Sequence, residues 1–399
     1  MTQFPETATA ALAAAGGARV AWIRSRMALL AALREEFRRE RPFAGRRIGV
    51  SLHIEPKTAV LLEVLAEGGA EIVGTGNHGS TQDDIVAFLR GQGIGVFGSR
   101  ADTLDDHHAN LARVLDARPD ILLDNGADLA AGTVERGMAG AIIGGTEETT
   151  SGGDRLRGEL MGKVPFPSIV INDSPLKAIG ENKHAVGQSV VESFMRITNL
   201  MVPGRRFCVV GYGWCGRGIA QYLRALGGRV AIVEVDEIKA LEAALDGYRV
   251  APLADLAPWA EVFITATGRP GVLPAEAIGA MADGAVLANS GHFPWEIDVD
   301  GLRSMTRAET DLDGTLRRFD LANGRHVVLV ADGRMFNLAG VAPKGNSIES
   351  MDIGFMLQAL SLQRVALSAA SLAPGAQPVP DDINRRIARA MLAAMGAAR

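Results

Sequence analysis

Residues 207–236 read FCVVGYGWCGRGIAQYLRALGGRVAIVEVD, and their order decides the fold. The apolar run 207–210 is long enough for one buried parallel strand. Gly211, Gly213 and Gly216 follow in G-x-G-x-x-G spacing, with Cys215 on the same loop. An amphipathic run over 219–226 then leads to a second apolar strand over 230–233, which ends on Glu234. Each part has a task in holding a dinucleotide. Gly211 permits the tight turn, Gly213 lets backbone approach the pyrophosphate, and Gly216 lets helix pack on strand. The phosphates then sit on a helix N-terminus, where unpaired N–H groups favour negative charge. Glu234 stands roughly 20 residues on, the spacing of the acid that grips the ribose hydroxyls. An acid there repels a 2′-phosphate, so the motif predicts NAD rather than NADP. Three glycines alone are weak evidence in a chain with 47 of them. Strand, helix, second strand and acid together make the motif specific.

The composition fits that reading. A chain of 399 residues can form two or three domains. Its hydrophobic fraction of 47% and charged fraction of 22% are those of an ordinary globular protein. A net charge of −5 argues against a sequence-independent nucleic-acid binder, which needs a basic footprint. The two cysteines, Cys208 and Cys215, both lie in the glycine-loop unit and suggest neither a disulfide framework nor a metal site. The N-terminus has no basic n-region and no apolar run approaches spanning length, so a cytoplasmic protein without membrane partners is expected.

Apolar strands alternate with helical patterns along the whole chain. A helix is expected over 17–40, then strands over 46–52, 71–74, 94–97, 120–123 and 141–143, each followed by a helix or a polar loop. A strand over 168–171 and a helix over 189–198 lead into the glycine-loop unit, which continues through strands over 262–265, 285–288 and 327–331. A helix over 347–370 crosses back toward the first domain, and 374–380 reads as a linker before a last helix over 383–395. This alternation predicts an α/β protein with two doubly wound parallel sheets. The expected division is a substrate-binding domain over 1–180, completed by 345–372, and an inserted Rossmann domain over 181–344. Residues 373–399 are left as linker and helix. In such sheets the loops after the strands' carboxyl ends hold the ligand. The polar loops at 53, 77 and 124 therefore point to one cleft.

Ten blocks in order carry a resemblance: LHIEPKTAV, NHGSTQD, LLDNGADL, GGTEETTSGG, NDSPLKAIGEN, GYGWCGRG, EVDEIKAL, TATG, NSGHFPWEID and ADGRMFNLAG. The chain resembles the adenosylhomocysteinase family over almost its whole length. The resemblance implies a tightly held NAD that oxidises a nucleoside's 3′-hydroxyl and so acidifies the 4′ hydrogen. The 5′ substituent then leaves by β-elimination, water adds, and hydride is returned. It further implies a homo-oligomer, dimer or tetramer. Lys177 matches the base that takes the hydroxyl proton, with Glu181 (Asp in the family) and Asn182 beside it. His53 and His292 match the histidines near the 5′ carbon. Glu148 matches the grip on the ribose hydroxyls, and Asp124, Asn77, Thr58, Glu55 and Lys57 complete the substrate set. Thr149, Thr150, Ser151 and Asn337 match nicotinamide contacts, and Thr265, Ala266, Thr267 and Ser290 fall in the remaining cofactor blocks.

The departures from the pattern bear on the reaction. Asn125 stands where the family has an aspartate with an acid–base role, and an amide cannot ionise. Lys57 stands where adenine meets Glu or Gln, and an ammonium is a donor only. Either Glu55 takes over there or the base sits differently. The family's Gly-His-Pro-Ser segment is replaced by PKGNS over 343–347. Val186 replaces a cysteine, and no Lys- and Tyr-containing tail follows the last helix. An intact redox set beside remodelled base and 5′ pockets favours an enzyme whose leaving group differs from homocysteine, with 5′-dehydration of a nucleoside as one form. An ordinary hydrolase of adenosylhomocysteine and a non-catalytic NAD-binding regulator are the competing readings.

Overall fold

The computed structural model describes residues 6–291, 294–339 and 342–397. It divides into two units, Met1–Ala178 with Ile348–Arg399, and Ile179–Ser347. The first unit holds strands β1 (Arg47–Leu52), β2 (Glu71–Gly76), β3 (Gly95–Phe97), β4 (Ile121–Asp124), β5 (Gly144–Glu147) and β6 (Pro167–Val170). The second holds β7 (Arg206–Val210), β8 (Arg229–Val233), β9 (Arg249–Val250), β10 (Val262–Thr265), β11 (Ala285–Asn289), β12 (Thr306–Asp311), β13 (Leu316–Leu321) and β14 (His326–Val330). β15 (Gly375–Pro378) returns to the first unit.

The first sheet runs β15-β6-β5-β4-β1-β2-β3 and all its pairings are parallel. Strand order reverses between β1 and β4, which makes their carboxyl ends the place for a ligand. Both faces are covered, so the strands are almost continuously buried. The helix Ile348–Ser368 fills one face, with Leu357, Ala359, Leu362 and Val365 fully buried. With its short extension to Ser371, this is the one helix among the described residues long and apolar enough to cross a membrane, where the sequence pattern suggests no run of spanning length. Its burial against the sheet and neighbouring helices is that of a core helix.

The second sheet runs β12-β13-β14-β11-β10-β7-β8-β9. Here the order reverses between β7 and β10. β12 and β13 pair antiparallel and extend the otherwise parallel sheet beyond β14. They were not foreseen because β12, TRAETD, is almost wholly exposed and lacks an apolar run.

Other expectations need correction. The helix expected over 17–40 is two, Glu6–Arg24 and Ala28–Glu40. Asp352 accepts the N–H groups of Leu29 and Leu30 at 2.7 and 2.9 Å, which lets the second helix start without a Gly or Pro signal. The strand expected over 141–143 lies at β5 instead. A Cβ on Gly144 would meet Val365 Cγ1 at 2.7 Å, and one on Gly145 would meet Leu122 O at 2.7 Å. Close packing therefore demands glycines where pattern reading looks for apolar residues. The linker expected over 374–380 contains β15, whose backbone bonds complete the edge beside β6.

Candidate active site

In the first unit the loops after β1, β2, β4 and β5 bring polar groups together at the strand-order reversal. Asn77 donates from Nδ2 to Asn125 Oδ1 at 2.9 Å. Asn125 donates to Glu148 Oε2 at 3.2 Å, and Lys177 Nζ donates to Glu148 Oε1 at 3.2 Å. Lys177 and Glu148 are 4% and 8% exposed, so neither charge is screened by bulk water. Burial alone would raise the Glu148 pKa, but Lys177, His53 and the Asn125 amide together hold it below the ordinary carboxylate value.

His53 shares a 2.7 Å hydrogen bond between Nδ1 and Ser80 Oγ. Burial pushes its pKa down; the Glu148 charge opposes this and the Lys177 charge adds to it. The imidazole is therefore neutral near pH 7, able to take or pass a proton. Thr58 donates to the His53 carbonyl at 2.7 Å, so its hydroxyl braces the histidine loop. Glu55 and Lys57 form an ion pair of 2.8 Å on that same turn, with Lys57 buried.

Asp124 sits elsewhere than the polar chain. Its carboxylate accepts the N–H groups of Asn125, Leu129 and Ala130 at 3.0, 3.2 and 2.9 Å and caps the helix Asp128–Glu135. Burial first, then the Glu147 charge, push its pKa up. Thr149 is likewise a helix cap: its hydroxyl accepts the Gly152 N–H at 2.9 Å. Thr150 is exposed, and Ser151 Oγ lies 3.1 Å from Thr149 Oγ1.

Lys177 opens a π-helical segment, Lys177–Ala185. Such windings are frequent at functional sites. Glu181 and Asn182 follow on it and belong to the second unit. Asn346 Nδ2 lies 3.5 Å from Glu181 Oε1, while Asn346 Oδ1 accepts from Ser189 Oγ at 3.3 Å. Asn337 donates to the same Ser189 hydroxyl at 3.0 Å.

The second unit's glycine loop has the geometry of a dinucleotide cradle. Gly211 has φ +102°, and a Cβ there would stand 2.9 Å from Ala266 O. A Cβ on Gly216 would come within 2.0 Å of Gly211 O, so only glycine lets the helix Trp214–Ala225 approach. A Cβ on Gly213 would meet nothing within 4 Å, which leaves the approach to the helix N-terminus open for a pyrophosphate. Cys215 lies half-buried in that first turn. Glu234 follows directly on β8 and accepts the N–H groups of Tyr212, Val235 and Asp236 at 2.7, 2.8 and 3.0 Å, so its carboxylate is held beside the glycine loop. The residues present fit NAD.

The hydroxyls of the neighbouring blocks serve the framework. Thr265 donates to Asn289 at 2.9 Å, Ser290 to the Thr265 carbonyl at 2.7 Å, and Thr267 to Glu296 at 2.8 Å. Ala266 bonds through its backbone to Val210 at 2.9 Å. His292 lies outside the described residues. Sequence reasoning missed Ser80, Glu147, Ser189, Glu296 and Asn346. Glu147 and Glu296 stand inside quoted blocks, but residue type alone does not tell which of two neighbouring carboxylates turns inward.

Comparison with known proteins agrees with this geometry. The family model described as S-adenosyl-L-homocysteine hydrolase matches residues 6–141, and that of the same enzyme's NAD binding domain matches 182–343. The S-inosyl-L-homocysteine hydrolase of Methanopyrus kandleri is 44% identical, covering 96% of this chain and 92% of that protein. The adenosylhomocysteinase of Archaeoglobus fulgidus is 42% identical over 96% of this chain and 94% of its own. Among solved structures, a dipicolinate synthase from Bacillus halodurans superposes with a TM-score of 0.52 at 14% identity, over 82% of this chain and 99% of its own, a likeness of fold alone. Two family models in sequence order, relatives above 40% identity over nearly the whole chain, and a glycine loop shaped for NAD lead to one conclusion: the chain belongs to the S-adenosyl-L-homocysteine hydrolase family and is an NAD-dependent enzyme.

Proposed function

We propose that the protein acts on a purine nucleoside by transient oxidation of its 3′-hydroxyl, removal of the 4′ proton and elimination of the 5′ substituent. A thioether-linked homocysteine is the first substituent to expect. The observation that carries the reading is the buried Lys177–Glu148 pair beside a neutral His53. NAD, when bound, supplies the hydride acceptor for the alcohol carbon and returns the hydride at the end. Glu148 accepts hydrogen bonds from the ribose hydroxyls. A ribose hydroxyl that takes Lys177's place on Glu148 removes the partner that favours the ammonium; the lysine gives its proton to solvent and, as the neutral amine, then receives the hydroxyl's. His53 passes a proton to the departing 5′ group and takes one from the entering water.

The Glu55–Lys57 pair supports a 6-oxopurine as the base. An ammonium donates to a ring carbonyl oxygen, and the adjacent carboxylate accepts from the neighbouring ring N–H. Adenine offers an amine at that position, which Lys57 cannot accept from. Relatives of similar identity include both S-inosyl-L-homocysteine hydrolases and adenosylhomocysteinases, so the preference rests on the Glu55–Lys57 pair.

A second reading, loss of water from a nucleoside 5′-hydroxyl, is favoured by Asn125. Its amide is hydrogen-bonded between Asn77 and Glu148 and offers no ionisable group to a thiol or water at the 5′ carbon. One incubation series decides among these. S-inosylhomocysteine, S-adenosylhomocysteine, inosine and adenosine are each mixed with the enzyme, and products are identified by mass. Homocysteine release, fastest from the inosyl compound, is the expected result. A product lighter than its 5′-hydroxyl nucleoside by one water, without homocysteine release, establishes the dehydratase. No product from any of the four overturns the proposal.

A further inference from the structure

Glu147 closes β5 and is fully buried, yet the chemistry above makes no use of it. Its carboxylate collects four donors. Oε1 accepts from Gly126 N–H at 3.0 Å, from Thr149 N–H at 2.7 Å and from the Thr149 hydroxyl at 2.7 Å. Oε2 accepts from Ala127 N–H at 2.8 Å. Gly126 and Ala127 both have positive φ, +87° and +58°. The N–H groups of both residues converge on one acceptor. That acceptor is a side chain of the protein itself.

The site is built closely around that carboxylate. A Cβ on Gly152 would stand 2.2 Å from Glu147 Cδ, so the helix Thr150–Arg157 passes with only glycine's clearance. The donors come from the residues next to the reacting groups. Gly126 and Ala127 follow Asn125, and Thr149 follows Glu148. Asn125 and Glu148 are themselves hydrogen-bonded at 3.2 Å, and Glu148 holds Lys177. One buried carboxylate thus ties together the two turns that carry the Asn125–Glu148–Lys177 chain.

We infer that Glu147 is a positioning residue: gripped by four donors from two loops, it sets the separation of Asn125 and Glu148 and, through Glu148, the placement of Lys177. A carboxylate suits the task because all four partners are donors. An amide in its place would turn an N–H₂ group toward at least one of them. The assignment rests on the proposed roles of Glu148 and Lys177, but its test does not need turnover.

The test uses full-length Glu147→Gln and Glu147→Asp with NAD bound. Lysine acetylation by acetic anhydride is followed residue by residue by mass spectrometry, and amide exchange over 124–130 and 147–153 is measured alongside. The inference expects Lys177 labelling and exchange in both loops to rise about tenfold or more in Glu147→Gln, with Lys57 labelling unchanged and Glu147→Asp intermediate. Activity on the substrate found above should fall about ten- to hundred-fold, and by much less in an Asn125→Ala background, since two changes to one linkage are not additive. Unchanged Lys177 labelling overturns the inference, as do equal activity losses in both backgrounds. Variants that fail to fold, or that label Lys57 and Lys177 alike, assign the carboxylate to general stability and overturn it too. If the wild type proves inactive on every nucleoside, the proposed function fails while the labelling still decides the role of Glu147.

Discussion

Lys177 Nζ lies 3.2 Å from Glu148 Oε1, with both side chains buried at the carboxyl edge of the first sheet. A buried pair of this kind is poor at stabilising a fold, because desolvation offsets much of the attraction. Its placement beside His53 and Asn125 is what the proposed chemistry on a ribose requires.

Lys177→Ala should therefore keep the fold and the bound cofactor but lose reduction of the nicotinamide when nucleoside is added. Loss of a positioned general base typically costs 10²–10⁴-fold. Rapid mixing with absorbance detection reads that step, and a normal rate in the variant would take Lys177 out of the reaction.

His53→Ala separates two stages. The nicotinamide should still be reduced, while release of the 5′ group should fall by about 10²-fold or more. Product analysis beside the absorbance trace checks this. Full product formation would place the proton transfer on another group.

Glu234→Ala tests the cofactor assignment. Losing a hydrogen bond to a charged group costs about 1.5–3 kcal/mol, or roughly ten- to hundred-fold in NAD affinity. Titration of cofactor-stripped protein measures it. Wild-type protein that binds NADP as well as NAD would contradict the role given to this acid.

Asp352 gives a pH prediction. Burial raises its pKa to about 6, against roughly 3.9 for an unfolded aspartate. A raised folded-state value means that its contribution to stability is fullest below the unfolded value and is lost as pH rises through about 6. The stability of wild type relative to Asp352→Asn in urea should therefore rise as pH falls from 7 to 4. A pH-independent difference would show that the Asp352 carboxylate does not change its protonation in that range.

Much of this was legible in the residues. The G-x-G-x-x-G run with its acid marked the strand–helix–strand unit of the NAD-binding fold, and alternation of strands and helices marked the parallel core of both sheets. His53, Asn77, Asn125, Glu148 and Lys177 were named from the sequence, and the structure brings Asn77, Asn125, Glu148 and Lys177 into one hydrogen-bonded chain beside His53. Asp124, Thr149 and Thr265 were named too, but their side chains cap helices or bond to the framework. Sequence cannot distinguish a polar group facing a ligand from one facing a backbone N–H a few residues away. β5 was misplaced because its glycines answer to close packing. Glu147 was overlooked because three of its four donors are backbone N–H groups, which leave no mark in side-chain chemistry.

The most direct test of the central claim is the absorbance of the bound nicotinamide after rapid mixing of NAD-loaded enzyme with inosine or adenosine. Reduction is expected in the wild type, with inosine the better reductant, and none in Lys177→Ala. An oxidised cofactor that no nucleoside reduces would contradict it.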